Sequence, residues 1–343
     1  MTDPAESPTI SVVTVAFGAE PWLEESVAAS LATTGERVDV VLVDNGCTDG
    51  AVDRLAEVPG VTVVRLGGNT GFAGGCADGA AVATGEIVAF VNPDAIVEPE
   101  CLHRLAEELR DSRTGISTAS VRLADRPDRL NSAGNEIHYL GLSWSGAFDE
   151  PASRHAVRRD VLAASGACMA MTSEFYRQLG GFEREFFAYQ EDADLSLRSW
   201  QAGRPVVFVP GAVVRHRYEF GRNTSKFYLL DRNRLICVLS LWGTRTLAVL
   251  APLLLVQELA MWALAAAQGW LPERRRSVRW IAGHVSWLRR RRRDMQARRV
   301  VGDRSFADLF AVELDPGNLE TPAVLRAVAP LFRGYWAIAK RLL

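Results

Sequence analysis

Apolar and polar positions alternate along the first hundred residues in a pattern that predicts strands separated by helices. Ile10 to Phe17 (ISVVTVAF) is β-branched and nearly continuously apolar between Pro8 and Gly18, as expected of a strand covered on both faces. Pro21 suits the first turn of a helix, and Trp22, Leu23, Val27, Ala28 and Leu31 recur at helical spacing until Gly35. Two further apolar runs, Val38 to Val43 and Val61 to Leu66, stop at Asp44-Asn45-Gly46 and at Gly67-Gly68-Asn69. A helix over about 73–84 then leads to Ile87–Val91 (IVAFV), which stops at Asn92-Pro93-Asp94. This βαβαβαβ order predicts right-handed crossovers onto a mostly parallel sheet. Ligands of such sheets bind beyond the carboxyl ends of the strands, where Asp44, Asn69 and Asp94 would gather.

Further along, Leu102, Leu105 and Leu109 mark an amphipathic helix over 100–110, and a Gly- and Ser-rich stretch to about 160 has room for hairpins but no clear period. Residues 191–202 read as a helix and 206–216 as a strand. From about Lys226 the pattern is helical throughout, and a boundary is placed there. Thr246 to Ala267 is an apolar stretch of near-spanning length, interrupted by Pro252 and Gln257-Glu258, so an interfacial or re-entrant helix is expected in preference to a clean span.

With 343 residues the chain exceeds the size of one ordinary core, which fits a main domain with an appended segment. Residues 1–8 are acidic and Pro-containing, without the apolar run of a secretory signal, and are expected to form a disordered arm. Five scattered Cys without a CxxC pair suggest neither a disulfide framework nor a zinc site, and fit a reducing cytoplasm. The net charge of −2 hides a segregation. Residues 271–300 hold eleven Arg and no Lys against Glu273 and Asp294, a local +9 that leaves −11 on the other 313 residues. Trp270, Trp280 and Trp287 are interleaved with these arginines, which reads as a surface lying on an anionic membrane leaflet. A solvated helical face and a nucleic-acid patch are the alternatives; the acidic body disfavours a nucleic-acid partner.

Several positions carry chemistry. Asp44 ends a strand where a carboxylate can accept hydrogen bonds from a base or ribose, although Asp-Asn-Gly is also an ordinary turn. Asn69–Gly79 (NTGFAGGCADG) has glycines that permit either close ligand approach or tight helix packing, and matches neither a dinucleotide fingerprint nor a P-loop. Asn92 and Asp94 offer oxygen ligands to Mg²⁺ or Mn²⁺ against a pyrophosphate, or simply a turn. Glu191, Asp192 and Asp194 stand close enough to raise one another's pKa, which suits a general base, while acids at a helix start are also favoured by its dipole. His216 is a candidate metal ligand or a plain strand-end histidine.

Taken in order, VVTVAF, VLVDNGCTDG, GGNTGFAGG, FVNPD, SGACMAM, GGFEREFFAYQEDADLSLR and VPGAVVRH resemble glycosyltransferase family 2, and within it the rhamnosyltransferase and galactofuranosyltransferase-like members, over about residues 9–235. The resemblance implies an α/β fold of the GT-A type with a mostly parallel central sheet over 9–225, followed by a helical, membrane-associating C-terminal region over 226–343. It implies a nucleotide-diphospho-sugar donor, a divalent cation (Mg²⁺ or Mn²⁺) and inversion at the anomeric carbon. By the same resemblance Thr14, Val15, Phe17, Asp44, Asn69, Gly71, Phe72, Asn92 and Asp94 line the donor, Asp94 and His216 meet the metal, and Asp192 is the base with Glu191 beside it. Phe17-Gly18 and Ala77 depart from the family pattern, where an Asn is usual. With the basic segment, the resemblance suggests a polyprenyl-linked or other saccharide acceptor, cell-wall or surface polysaccharide synthesis, and peripheral attachment to the cytoplasmic face of the plasma membrane. A sugar-phosphate nucleotidyltransferase is the rival enzyme class, but GAEPW after the first strand lacks the basic phosphate loop that chemistry needs. An inactive nucleotide-sugar-binding scaffold is the rival outside enzymes; Asp94, Asp192 and His216 together speak against it.

Overall fold

The structure, a computed structural model, describes residues 10–217, 226–314 and 323–343; the arm expected at 1–8 lies outside them. Strands are β1 (Ile10–Gly18), β2 (Val38–Cys47), β3 (Val61–Arg65), β4 (Ile87–Val91), β5 (Ala95–Val97), β6 (Ile116–Leu123), β7 (Arg126–Ser132), β8 (Asn135–Ile137), β9 (Ser143–Ser145), β10 (Arg159–Val161), β11 (Cys168–Thr172) and β12 (Val206–His216). Helices are α1 (Leu23–Leu31), α2 (Ala51–Leu55), α3 (Gly71–Val82), α4 (Cys101–Leu109), α5 (Ser173–Leu179), α6 (Glu191–Gln201), α7 (Lys226–Leu241), α8 (Thr244–Gln268), α9 (Leu271–Gly283), α10 (Val285–Ala297) and α11 (Ala323–Ala339).

One sheet runs in the order β10-β12-β6-β11-β4-β1-β2-β3. The β3-β2-β1-β4 half is parallel, as the alternation predicts, and β11 enters antiparallel between β4 and β6. Successive residues of a strand face opposite layers. Val13 and Val15 therefore join Val41, Val43 and Phe90 in one core, while Val12 and Ala16 join Val40, Leu42 and Val91 in the other. The glycines of α3 serve the first core. A Cβ at Gly75 would sit 2.6 Å from Val15 and one at Gly79 2.5 Å from Val13, so the helix lies closer to the sheet than alanine allows. Of the two readings of the Gly-rich segment, tight packing thus accounts for Gly75 and Gly79.

The stretch without a clear period supplies β6 to β10, including the β8-β9 hairpin. Beyond residue 226 the described residues are mainly helical, with a 3₁₀ turn at Asp303–Leu309 and an isolated bridge between Ala311 and His138. These helices share the first core through Ile236, Cys237, Leu241, Trp242 and Leu288. Pro252 does not break α8, which continues for 25 residues without the chain reversal of a re-entrant segment.

Candidate active site

Three acids open α6 and have three different fates. Asp194 is fully buried; burial opposes its charge, but Arg198 and Arg291 outweigh that and hold its carboxyl below the usual range. Arg198 Nε donates to it at 2.9 Å and Arg291 Nη2 makes a second ion pair, so Asp194 fastens α10 to α6. Asp192 instead accepts from Asn135 Nδ2 (2.9 Å) and Gly166 N (3.0 Å) on Oδ2 and from its neighbour Ala193 N (2.7 Å) on Oδ1. Burial raises its pKa, while these hydrogen bonds pull the other way. Glu191 is buried with Oε2 lacking a partner, and burial together with the Asp192 charge pushes it up to about 8. A pair of carboxyls held apart in this way is suited to accepting a proton near neutral pH.

The backbone that presents them is strained. Phe187, Tyr189 and Gln190 have φ of 62°, 70° and 68°, and each such residue costs on the order of 1–3 kcal/mol unless its surroundings impose it. The surroundings come from α7. Asn233 Nδ2 donates to the carbonyls of Phe186, Ala188 and Tyr189 at 2.9, 2.9 and 2.7 Å. Arg232 Nη2 reaches the carbonyls of Glu185 and Phe186, and its Nε donates to Asn233 Oδ1 at 2.9 Å, which orients the amide towards the loop. On the other side Phe187 O accepts from Ala73 N at 3.0 Å, and a Cβ at Gly71, where φ is 76°, would meet that carbonyl at 2.3 Å. Only glycine fits at the start of α3.

A second centre forms where β4 ends. Asp94 Oδ1 lies 3.1 Å from His216 Nε2, Asn92 Nδ2 lies 3.4 Å from the same nitrogen, and His216 Nδ1 meets Asn131 Oδ1 at 2.9 Å. Asn92 Oδ1 is buried without a partner beside this pair. The Asp94 carboxylate, the orphaned Asn92 carbonyl oxygen and the His216 ring nitrogen are donor types that suit a hard or borderline cation. Among the described residues no three His, Cys, Asp or Glu side chains gather to hold a metal; Asp94 and His216 are the pair that meets here. The turn 165–167 joins the centres: Gly166 N donates to Asp192 and Ala167 O accepts from Asn92 N at 3.0 Å.

The remaining sequence candidates divide. Asn69 Oδ1 accepts from Gly71 N (2.8 Å) and Asn45 Nδ2 (3.1 Å), and Phe72 stands 3.7 Å from where a Gly166 Cβ would lie, a carbon that would also be 3.4 Å from Asp192 Oδ2. Asp44 caps its own turn through Gly46 N and Cys47 N and pairs with Arg65 at 3.1 Å, so the turn reading describes its present contacts. Phe17 is half exposed near Gly46. Val15 is buried under α3, and Thr14 is 1% exposed with its hydroxyl unpartnered, so neither side chain offers open surface to a ligand. Sequence reasoning did not single out Asn45, Asn131, Asn135, Arg232 or Asn233. Asn45, buried, ties Thr70 N (2.8 Å) to the end of β2, and its place inside VDNG was the one available signal. A cavity of about 750 Å³ between α3, α5 and α10 contains none of the candidate residues.

Comparison with known proteins bears on this geometry. The family model described as Glycosyl transferase family 2 matches residues 11–180. Over 233 residues, 60% of this chain and 75% of the relative, the sequence is 27% identical to an N-acetylglucosaminyl-diphospho-decaprenol L-rhamnosyltransferase of Mycobacterium tuberculosis. Among solved structures, a mannosyltransferase from Pyrobaculum calidifontis in complex with GDP-Man and Mn²⁺ superposes with a TM-score of 0.52 at 21% identity, covering 86% of each chain. A GalNAc-T7 structure with UDP, GalNAc and Mn²⁺ gives 0.58 at 18% identity, over 70% of this chain but only 49% of that one. These neighbours share the GT-A fold expected from the sequence resemblance.

Proposed function

The chain belongs to glycosyl transferase family 2, and on that footing we propose that it moves a sugar, rhamnose or a similar one, from a nucleotide-diphospho-sugar to a hydroxyl of a lipid-linked saccharide in cell-wall or surface polysaccharide synthesis, at the cytoplasmic face of the membrane. The relative's decaprenol-linked acceptor supports the acceptor class. The observation that carries the reaction type is the Asp192 carboxylate, held on three hydrogen bonds beside the uncompensated Glu191 and tied through 165–167 to the Asp94–His216 pair.

Asp192 Oδ2 is occupied by Asn135 and Gly166, so Oδ1 keeps the lone pair that takes the acceptor proton. As that proton leaves, the acceptor oxygen bonds to the anomeric carbon and the bond from that carbon to the diphosphate oxygen breaks on the opposite face, which inverts the centre. Glu191, protonated below about pH 8, stands next to the base without adding a second negative charge to the acceptor side. A divalent cation at Asp94 and His216, with Asn92 beside them, would neutralise charge on the leaving diphosphate. Asn69, Gly71 and Phe72 border the donor side.

Titration calorimetry with UDP-, dTDP- and GDP-sugars in the presence of Mn²⁺, followed by turnover assays with the donor that binds, tests the reading. Asp192→Asn should abolish transfer and leave donor binding near normal. Retained turnover would remove Asp192 from its role, and failure of every donor to bind would remove the enzyme reading.

A further inference from the structure

The amphipathicity of α8 is inverted. Leu255, Val256 and Leu259 are 67%, 59% and 71% exposed, and every other exposed position between 248 and 267 is Ala, Pro or Leu264. The polar residues of that stretch face the protein. Glu258 pairs with Arg234 and Arg274, both 1% exposed, Gln257 accepts from Arg234 Nη1 at 3.4 Å, and Arg274 lies over Trp262 at 5.2 Å. A helix on a water-facing surface shows the reverse arrangement. Beside it, α11 is tied to the Val249 carbonyl by Tyr335 and exposes Leu331 and Ile338.

We propose that α8 lies flat in the surface of an anionic lipid leaflet, its 255–256–259 face in the hydrocarbon margin and its Glu258 face on the protein, and does not cross the bilayer. Length alone permits crossing, since 25 residues at about 1.5 Å each exceed a hydrocarbon core of about 30 Å. The charge seam does not. Glu258 lies near the middle of the helix, and its partners Arg234 and Arg274 also hold Asp231, at 3.5 and 2.6 Å, so a crossing would carry four charges and α7 into lipid or tear the seam apart. Lipid is favoured over a second protein because the exposed face has no polar group to pair. Charge complementarity points the same way: Arg275, Arg279, Arg289 and Arg290 on α9 and α10 are exposed without ion-pair partners among the described residues. An apolar helix plus a basic patch supplies the two signals that stable attachment needs.

The inference deepens the lipid-linked-acceptor reading but stands on the surface alone, so it is tested without donor or acceptor. Full-length protein is floated with phosphatidylcholine vesicles, with and without phosphatidylglycerol. The expected result is flotation that is stronger with the anionic lipid and salt-sensitive. Leu255→Gln with Leu259→Gln should lower partitioning at least about tenfold on both vesicles, whereas Arg279→Gln with Arg290→Gln should weaken only the anionic preference. Cooperative urea unfolding with the midpoint of the unmodified protein confirms that these variants fold. Spin labels at Ala248→Cys, Leu259→Cys and Ala267→Cys should report one shallow depth; a depth that changes by about 28 Å along the helix would establish a span and overturn the proposal. Absence of flotation, or a dimer abolished by Leu259→Gln, would overturn it too, while leaving the sugar-transfer reading to its own assay.

Discussion

Replacing Asn233 by Ala removes the clamp on the loop that precedes the two central acids. The two amide hydrogens of Asn233 serve three carbonyls at 2.7 to 2.9 Å, so at least one hydrogen is shared. At a net value of about 0.5–1.5 kcal/mol per hydrogen bond, with carbonyls left buried, the variant should lose about 2–4 kcal/mol of stability. The loss has a direction, because Phe187, Tyr189 and Gln190 sit at positive φ and relax once their carbonyls are released. Gln190 caps α6, so relaxation moves Glu191 and Asp192; a shift of about 1 Å costs on the order of a hundredfold in rate. The proposed donor contacts at Asn92 and Asp94 lie on another strand end and should be spared, although Gly71 packs on the Phe187 carbonyl. Steady-state kinetics should therefore show kcat down by about two orders of magnitude with donor KM changed little. Leu241→Ala on the same helix, a fully buried residue away from the loop, supplies a comparable destabilisation of about 2–5 kcal/mol as the control. If Asn233→Ala lost no more kcat than Leu241→Ala, the clamp would be structural only and the positioning argument would fail.

Two further outcomes follow from the same geometry. Gly71→Ala forces a Cβ to within 2.3 Å of the Phe187 carbonyl at a φ of 76°, so it should cost about 3 kcal/mol or more in urea unfolding and also impair turnover; a change below about 1 kcal/mol would mean the loop yields freely. Glu191 is raised from 4.5 to about 8 in the folded protein, so its protonated form contributes stability that is full below pH 4.5 and is lost as pH rises through about 8. Glu191→Gln should flatten the decline between about pH 4.5 and 8, measured as unfolding free energy across that range, and an unchanged slope would contradict burial as the cause.

Much of the sheet was legible because its strands are apolar on both faces and end abruptly. IVAFV spans the whole of β4, which stops just before Asn92-Pro93-Asp94, whereas β2 continues past Asp44, paired with Ala16 and Arg65, to Cys47. β6 was not legible. Its sequence, ISTASVRL, is polar at three of its first five positions, yet Ser117, Thr118 and Ser120 are buried. Ser117 donates to Leu105 O at 3.0 Å and Thr118 to Cys168 O at 3.3 Å, so hydroxyls there are satisfied by backbone that sequence cannot locate. The acids of α6 show the same limit. Their spacing marked a cluster, but the separation of Asp194, an anchor for Arg198 and Arg291, from Asp192, the hydrogen-bonded carboxylate proposed as the base, depends on what faces each of them.

The arginine-rich segment illustrates why composition ran ahead of structure. A local +9 reads as a single basic surface, yet Arg274 and Arg291 are buried in ion pairs, Arg292 donates to the carbonyls of Leu239 and Trp242, and Arg299 holds Asp303. Only part of the charge is free for an outside partner. The inward part matters as much, because it binds the helical region to the site through one short run of α7. Successive helical residues point in different directions, so Asp231-Arg232-Asn233-Arg234 can address both sides at once. Asp231 and Arg234, three apart and on one face, hold Arg274 and Glu258, and so α9 and α8. Arg232 and Asn233 hold the loop that carries Glu191 and Asp192. The helical region after residue 226 is therefore part of the acid centre's support, and a surface that held α8 would also hold the orientation of those acids.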